Sequence, residues 1–367
     1  MITITDIAAR AGVSRATVSY VLNARGASVR ISPDTQRRVQ EAANELGYQR
    51  NELARAVSSG QSRMLGFWVM QSQHEPVARV LAGAMKEADQ NDYFIKMLGF
   101  DNSAPDAQII ERCVAWRVSG IIAIHAPHEA LEALSPQLRS THIPLVLVDS
   151  QAQRAGSVHI ASDQAGGVRS IVAHLVELGH ERIAYIAGRR EASWIISHQR
   201  IAAYRAAMRE FGLKRHADVL YGNWDAADSQ TAARQLLERP PSRRPTAIAC
   251  WSDYTAMAVL RAASQMGLRV PDDLSVAGFD DLSVSALLNP PLTTVAQSFE
   301  EMGRRAVRRL LSDGASETNT ASSDNAASEK PLEEALATHL VIRESTAPPN
   351  QASPPNQASL KIDCAAK

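Results

Sequence analysis

The sequence contains little cysteine and no long hydrophobic run, and these two absences exclude several classes of protein. Only three cysteines occur among 367 residues, Cys113, Cys250 and Cys364, and none forms a CxxC pair. Neither a disulfide framework nor a metal site is therefore expected. Apolar runs such as residues 143–148 stop far short of the roughly 18 residues that a membrane-spanning helix needs. Residues 1–6 lack the basic and apolar regions of a secretory signal, which predicts a cytoplasmic location.

The chain also lacks an excess of charge of either sign, with 39 basic and 39 acidic residues. This balance hides an asymmetry, because the first 63 residues contain nine arginines and only five acidic residues. Their net charge is +4, and the remaining residues carry −4. A basic N-terminal segment on a mildly acidic body indicates a nucleic-acid-binding module attached to a second domain.

The N-terminal residues have the apolar periodicity of short helices. Thr3 and Asp6 have the spacing of a capping box. Gly12 can adopt the left-handed conformation that ends a helix, and Ser14 can cap the next one. The predicted helices span residues 4–11, about 15–23, 33 to Gly47, and 51–58.

The first two predicted helices fit a helix-turn-helix for steric reasons. Steeply crossing helices need a small residue at their closest approach, here Ala8, and a tight turn, which Gly12 permits. In such a module the second helix enters the major groove, so its outward residues are the candidate base readers. They are Arg15, Ala16 and Tyr20. Candidates for phosphate contacts and register are Thr3, Ser14, Thr17 and Asn23. An ordinary helical hairpin with a solvated Arg15 is the alternative.

From residue 64 onward, short apolar runs alternate with helical patterns. Such alternation is typical of parallel sheets covered by helices on both faces. About 280 residues exceed the size of one ordinary sheet of this kind, so two α/β lobes are expected. The predicted strands are residues 65–70, 93–98, 120–124, 144–148, 182–187, 246–250, 274–278 and 337–342. Residues 312–328 and the repeat-bearing tail from 347 are polar and are predicted to be disordered.

Several motifs in this order resemble the lactose/galactose repressor family of bacterial regulators. They begin with Thr5-Asp-Ile-Ala-x-x-Ala-Gly-Val-Ser-x-x-Thr-Val-Ser-x-Val-Leu-Asn23 and continue with Glu45-Leu-Gly-Tyr48, Val276-Ala-Gly-Phe-Asp-Asp281 and Pro290-Pro-Leu-Thr-Thr-Val-Ala-Gln297. The resemblance covers about residues 1–346. It implies an N-terminal all-α helix-turn-helix domain and an α/β core like that of periplasmic binding proteins, with two doubly wound parallel-sheet lobes.

The resemblance also sets the expected boundaries. They are a DNA-binding domain over 1–50, a hinge over 51–62, a first lobe over about 63–160 and 293–346, a second lobe over about 161–292, and a tail over 347–367. The hinge helix would insert Val57 into the minor groove, where the family usually has leucine. A plain helix contact by Val57 is the alternative. Asn51 and Ala54 belong to the same segment. Arg50 and a longer stretch at 24–31 depart from the family pattern.

The expected ligand site lies where strands end between the lobes. Asp149, Ser252, Asp253 and Asp280 follow predicted strands, and carboxylates suit the adjacent hydroxyls of a polyol. The positions that the resemblance assigns to the effector are Asp149, Arg200, Trp224, Ser252, Asp280 and Phe299. Ser252 stands where the family usually has asparagine. A cap by Asp280, and lobe packing by Trp224 and Phe299, are the alternatives.

The sequence distinguishes between three classes of function. A transcriptional repressor would bind a pseudo-palindromic operator as a homodimer, under the allosteric control of a sugar or sugar derivative. An α/β enzyme would need a phosphate-binding loop or an activated nucleophile, and no GxxxxGK[ST], GxGxxG after a strand, or GxSxG motif occurs. A periplasmic binding protein would need a signal peptide and would lack the basic module. The repressor is the prediction, with no enzyme activity, cofactor, metal or membrane partner. The identity of the effector, and whether it induces or co-represses, stay open.

Overall fold

The computed structural model describes residues 2–22, 29–48, 62–69, 74–98, 107–126, 131–132, 136–137, 140–141, 143–150, 158–190, 195–223, 225–314 and 332–350. The chain divides into two compact units, Met1–Ser62 and Arg63–Lys367.

The described residues of the first unit form three helices around a small apolar core. They are α1 (Ile4–Ala11), α2 (Arg15–Leu22) and α3 (Pro33–Glu45). Gly12 ends α1 with φ 65°, a left-handed conformation that glycine adopts at little cost. The Ser14 hydroxyl then accepts a hydrogen bond from the Thr17 backbone N–H at 3.1 Å and so caps α2. Ile7, Val18 and Val39 are fully buried between the helices.

The second unit begins with a six-stranded parallel sheet. Its strands are β1 (Met64–Val69), β2 (Phe94–Leu98), β3 (Gly120–Ile124), β4 (Leu145–Val148), β5 (Val158–Ser162) and β11 (Leu332–Leu336), in the order β11-β5-β4-β3-β1-β2. The helices α4 (Glu75–Gln90) and α10 (Phe299–Gly314) cover one face, and α5 (Ala107–Ala115) covers the other. Both faces are buried, which explains the nearly continuous apolar runs in these strands.

A second parallel sheet has four strands in the order β7-β6-β8-β9. They are β6 (Ile183–Ala187), β7 (Asp218–Tyr221), β8 (Ala247–Cys250) and β9 (Ser275–Ala277). The helices α6 (Gln164–Glu177) and α7 (Ile195–Glu210) cover one face, and α8 (Ala226–Leu237) and α9 (Asp253–Gln265) cover the other. This sheet and the preceding one confirm the prediction of two α/β lobes.

The boundary between the lobes differs from the expected one. β10 (Thr294–Ala296) pairs antiparallel with β12 (His339–Val341), and Val295 and Leu340 pack into the core of the second sheet. The prediction of residues 293–346 as part of the first lobe was therefore wrong for these two strands. We define the first lobe as residues 63–162, α10 and β11, and the second lobe as residues 164–296 and β12.

The strand predicted over 337–342 corresponds to β12, and β11 lies immediately before it in the other sheet. The chain leaves the first sheet after Leu336, where the Asp163 N–H donates to the Leu336 carbonyl, and joins the second lobe as β12. These two consecutive segments pair with different sheets, so a single strand cannot include both of them. The strands β5, β7, β10 and β11 were not predicted, because their apolar runs are short or contain a polar residue such as His159.

The described chain continues past the predicted start of the tail. Ala347 exchanges hydrogen bonds with the Ser275 hydroxyl, with its N–H donating and its carbonyl accepting at 3.0 Å each. The ordered core thus includes this residue, which was predicted to begin a disordered tail. Cys113 and Cys250 are buried and free. Among the described residues, no helix combines the length and the apolar character that crossing a membrane requires.

Candidate DNA-binding surface and ligand cavity

The outward face of α2 carries the three predicted base readers. Arg15 and Ala16 are exposed, and the Tyr20 side chain is 41% exposed. Val18 and Val21 on the opposite face are buried against the other two helices. The sequence of α2 therefore places an arginine, a methyl group and a phenol together on its solvent-facing side.

The arginines of the first unit differ in whether an acidic side chain pairs with them. Arg10 pairs with Glu45 at 2.5 Å, and Arg37 pairs with Asp34 at 2.6 Å. Within the described part of this unit, no acidic side chain pairs with Arg15. Its guanidinium is thus available to an external acceptor, as base or phosphate recognition requires.

A cavity of about 440 Å³ lies between the two lobes of the second unit. Both lobes contribute to its wall, which includes polar, charged and aromatic side chains. They include His74, His125, Asp149 and Phe299 from the first lobe, Arg200, Ser252, Trp251 and Asp280 from the second, and Gln297 at a crossing between them.

The Arg200 guanidinium occupies the centre of the polar wall, although its side chain is only 4% exposed. Its Nε donates to Gln164 Oε1 at 2.6 Å, and one terminal nitrogen donates to the Trp251 carbonyl. The other terminal nitrogen lies 3.8 Å from Asp280 Oδ1. The guanidinium also stacks over Trp251 and Phe279, at 4.4 Å and 3.7 Å from their ring centroids. This arrangement holds a buried charge in one geometry.

Burial changes the protonation of the acids around Arg200. It raises the pKa of Asp280 to about 8, although the Arg200 charge and the hydrogen bond from Gln297 Nε2 at 2.6 Å oppose the rise. Burial also raises the pKa of Asp149 to about 6, against a hydrogen bond from the Ser162 N–H at 3.3 Å. At neutral pH Asp280 is therefore largely protonated, and it can both donate and accept hydrogen bonds.

Polar contacts across the two lobes form a clasp beside the cavity, which we define as Glu75, Arg79, Asp281 and Ser283. The Glu75 carboxylate accepts from the Ser283 N–H at 3.0 Å and from the Ser283 hydroxyl at 2.7 Å. Arg79 donates to the Asp281 carbonyl at 3.2 Å. These contacts join the two lobes directly.

Two family descriptions match the chain, one for each unit. Residues 3–51 match "Bacterial regulatory proteins, lacI family", and residues 172–346 match "Periplasmic binding protein-like domain". The transcriptional repressor PurR of Aliivibrio fischeri (strain MJ11) is 32% identical over 85% of this chain and 91% of its own length. The chain belongs to the LacI family of bacterial regulatory proteins. The regulator MalR of Streptomyces coelicolor is 33% identical, with 84% of this chain and 89% of MalR covered.

Solved structures share the fold of this LacI-family chain. The lac repressor dimer bound to operator and the anti-inducer ONPF aligns with a TM-score of 0.74 and 28% identity, covering 94% of this chain and 99% of the repressor. The complex of the regulator CelR with cellobiose aligns with a TM-score of 0.65 and 27% identity, covering 94% and 100%. The protein is a DNA-binding transcriptional repressor under the control of a small ligand, and not an enzyme.

The LacI-family chain brings five of the six predicted effector residues to one cavity. They are Asp149, Arg200, Ser252, Asp280 and Phe299. Trp224 lies outside the described residues, as do Asn23, Asn51, Ala54 and Val57. Phe299 also packs into the core of the first lobe, so lining the cavity and packing are compatible. Asp280 hydrogen-bonds Gln297 rather than capping a helix.

Two neighbouring residues after β8 have different roles. The Ser252 hydroxyl accepts from the Thr255 N–H at 3.2 Å and caps α9, while its side chain lines the cavity. Asp253 is fully buried away from the cavity wall, and its carboxylate accepts from Ser285, Thr294 and the Leu282 N–H. The prediction of Asp253 as a ligand-site candidate was wrong, because this network already uses its carboxylate oxygens.

Sequence reasoning missed several cavity residues. Gln297 is the last residue of the family motif at 290–297, and this motif was the signal that could have identified it. Gln164 does not line the cavity but accepts from Arg200 Nε at 2.6 Å, and it follows β5, a strand that was not predicted. His125 follows β3, and burial lowers its pKa to about 4, so its imidazole is neutral. Within the described ranges, no group of three or more metal-binding side chains occurs.

Replacing Asp280 by asparagine is expected to stabilise the protein increasingly as the pH rises. The folded-state pKa of about 8 lies above the ordinary 3.8, so burial of this carboxyl costs stability that is absent below about pH 4 and grows towards pH 8. Asparagine is a neutral isostere without this cost. Thermal melting at pH 5, 6.5 and 8 should show a gain in Tm that reaches at least about 2 °C at pH 8. The same difference in Tm between the two proteins at all three pH values would contradict the raised pKa of Asp280.

Proposed function

We propose that the protein is a cytoplasmic homodimer that represses transcription from a pseudo-palindromic operator and that a neutral, polyhydroxylated ligand controls its DNA binding. The two half-sites of such an operator match two copies of α2 related by a twofold axis. The lac repressor, to which this chain is similar, binds its operator as a dimer.

The buried Arg200 network is the observation that carries the proposed ligand class. Its cation faces one ionised carboxylate, Asp149, and a largely protonated one, Asp280, so these three groups have little net charge. Each of them can bond a hydroxyl, which both donates and accepts. The rings of Phe299 and Trp251 add apolar surface for the C–H face of a sugar. A polyol satisfies this mixture of donors, acceptors and apolar surface. CelR, a structural relative, binds cellobiose.

On the DNA side, we propose that Arg15 forms a bidentate contact with guanine and that Ala16 contacts a thymine methyl group, with Tyr20 beside them. Thr3, Ser14 and Thr17 would contact phosphates near the start of α1 and α2. Asn23 would extend this contact, and the hinge residues Asn51, Ala54 and Val57 would bind the minor groove. These roles follow from the exposed face of α2 and from the family resemblance.

The two functions are coupled because a ligand in the cavity contacts both lobes. Such a ligand stabilises whichever arrangement of the lobes gives it more contacts. Any change that this causes in operator affinity must be matched by an equal effect of operator on ligand affinity. Measuring both effects therefore tests the coupling between the two sites, whether the ligand is an inducer or a co-repressor.

A thermal-shift screen of neutral sugars, sugar phosphates and nucleobases tests the ligand class. A ligand at one hundred times its Kd should stabilise the folded state by about 2.7 kcal/mol. Neutral sugars are expected to raise Tm, and the same sugars should change operator binding in a fluorescence-anisotropy titration. Stabilisation by nucleobases or sugar phosphates alone would overturn the proposal.

Replacing Glu75 by alanine is expected to release the clasp and accelerate ligand dissociation by about tenfold, because charge-assisted hydrogen bonds between the lobes are lost. Stopped-flow dissociation of the bound sugar measures the rate, and small-angle scattering measures any opening. Glu300→Ala is the matched control, since Glu300 also begins a helix but pairs with Arg304 on its own helix. Equal rates for both variants would refute a role for the clasp.

A further inference from the structure

Asp253 is a fully buried acid that does not line the ligand cavity, and it bonds the loop over residues 279–285. Its backbone N–H donates to the Phe279 carbonyl at 2.8 Å. Its Oδ2 atom accepts from the Leu282 N–H at 2.8 Å and from the Ser285 hydroxyl at 2.6 Å. The first residue of α9 therefore holds this loop at its beginning, in its middle and at its end.

The two residues between the first two of these bonds have unusual backbone conformations. Asp280 has φ 119° and Asp281 has φ 52°. Residues other than glycine rarely adopt a positive φ, and such a residue persists only where the surrounding structure restrains the backbone. The Phe279 carbonyl and the Leu282 N–H flank this pair, and Asp253 bonds both of them. Asp253 thus supplies a restraint on each side of the strained pair.

The 279–285 loop carries the groups through which the second lobe meets both the cavity and the first lobe. Asp280 lines the cavity. Asp281 and Ser283 are the second-lobe half of the clasp, and they bond α4 of the first lobe. A shift of this loop would therefore move a proposed ligand contact and the clasp together.

The Asp253 carboxylate needs both space and hydrogen-bond donors in the interior of the second lobe. A Cβ atom on Gly278 would lie 2.1 Å from Asp253 Oδ1, so a larger residue there would displace the carboxylate. The same oxygen accepts from the Thr294 hydroxyl. Burial raises the pKa of Asp253 to about 6, although the hydrogen bonds from Ser285, Thr294 and Leu282 oppose the rise. An apolar residue would avoid this cost of burial, but it could not bond the loop.

We propose that Asp253 is a positioning residue, which holds the backbone on both sides of Asp280 and Asp281 and so presents Asp280 to the ligand and the clasp to the first lobe. This inference rests on the proposed role of Asp280 in the ligand site and adds the group that keeps it in place. Loss of the Asp253 carboxylate frees the loop, which weakens ligand binding by more than a general loss of stability does.

Amide hydrogen exchange of the ligand-free full chain, followed by mass spectrometry, tests the restraint on the loop. Asp253→Ala should accelerate exchange in peptides covering 279–287 about tenfold, because the Leu282 N–H loses its acceptor. Asp253→Asn is the conservative variant, since an amide keeps one oxygen that accepts from Leu282 and Ser285. Its nitrogen can donate to the Thr294 hydroxyl. Exchange in Asp253→Asn should stay within about threefold of that in the natural chain.

Tyr204→Phe is the matched control for a loss of stability in the second lobe. The buried Tyr204 hydroxyl donates to the Ile183 carbonyl at 2.6 Å and accepts from the Asp218 N–H at 3.0 Å, on β6 and β7. This variant should lower the free energy of unfolding and leave exchange over 279–287 unchanged. Natural exchange rates in Asp253→Ala, or the same acceleration in Tyr204→Phe, would overturn the proposal.

Calorimetry with glucose, galactose, ribose and cellobiose measures the effect on ligand binding. For each of these sugars that binds the natural chain, Asp253→Ala should weaken the affinity about tenfold, and Asp253→Asn and Tyr204→Phe by less than about threefold. Equal losses in Asp253→Ala and Tyr204→Phe would refute the positioning role, because stability alone would then explain them. If none of the sugars binds, the proposed ligand class fails, and the exchange experiment still decides whether Asp253 holds the loop.

Ser285→Ala takes the place of Asp253→Ala if that variant folds too weakly to be measured. It removes one donor from the same carboxylate and should accelerate exchange over 279–287 by about threefold or more. An unchanged exchange rate in Ser285→Ala would likewise count against the proposal.

Discussion

Replacing Arg200 by methionine is expected to abolish the response to the ligand and to destabilise the protein by about 3–5 kcal/mol. The substitution keeps the length of the side chain and its packing on Trp251 and Phe279, but removes the cation and its hydrogen bonds. The Gln164 oxygen and the Trp251 carbonyl would then lose their donors, and the Asp149 carboxylate would stay buried without a cation. Chemical denaturation measures the loss of stability, and calorimetry measures ligand binding.

Arg169→Ala is the control for the loss of a positive charge from the second lobe. Arg169 forms an exposed ion pair with Glu210 at 2.5 Å, and solvent screens such pairs. This variant should keep both stability and ligand binding. If Arg200→Met folds too weakly for calorimetry, Arg200→Lys keeps the charge without the planar fork and should still lose most of the affinity. Normal binding by either Arg200 variant would refute the central role of this guanidinium.

Replacing Arg15 by alanine is expected to reduce discrimination at one base pair in each operator half-site. A good bidentate contact contributes about 1–3 kcal/mol of preference for the right base, which is about a tenfold to hundredfold ratio of affinities. Binding to a set of single-substitution operators, measured by fluorescence anisotropy at constant salt, should show one position at which all four bases become similar. Other positions should keep their preferences.

Arg10→Ala is the matched control, because it removes the same charge from α1, where Arg10 pairs with Glu45. Its effect on affinity should be similar for all operators. Each of the two variants should reduce the salt dependence of binding by no more than the equivalent of about one phosphate contact. If Arg15→Ala keeps full base discrimination, Arg15 contacts the backbone and some other side chain of α2 must recognise the bases.

The helical unit was predictable because its determinants are local. Gly12 ends α1 and Ser14 caps α2, and the structure has both features where the sequence places them. The helical spacing of apolar and polar residues also determines which face of α2 is exposed. A helix start, a tight turn and an amphipathic face each depend on residues a few positions apart.

The ligand cavity was predictable only in part, since its residues come from strands and crossings far apart in the chain. Asp253 and Asp280 both follow strands, yet one is enclosed by Ser285 and Thr294 and the other faces Arg200. Gln164 was not predicted because β5, the strand before it, was not predicted. β5 contains polar residues, and it is buried only because neighbouring elements pack against it. No local pattern distinguishes these cases.

The sequence by itself determined the basic helical module, the alternation of strands and helices, and the family motifs, because periodicity, turns and caps act over short distances. Only the tertiary structure decided which lobe holds β10 and β12, where the chain crosses between sheets, and which carboxyls meet Arg200. The physical reason is that burial, and with it the protonation of Asp280, depends on which distant segments exclude water from a group.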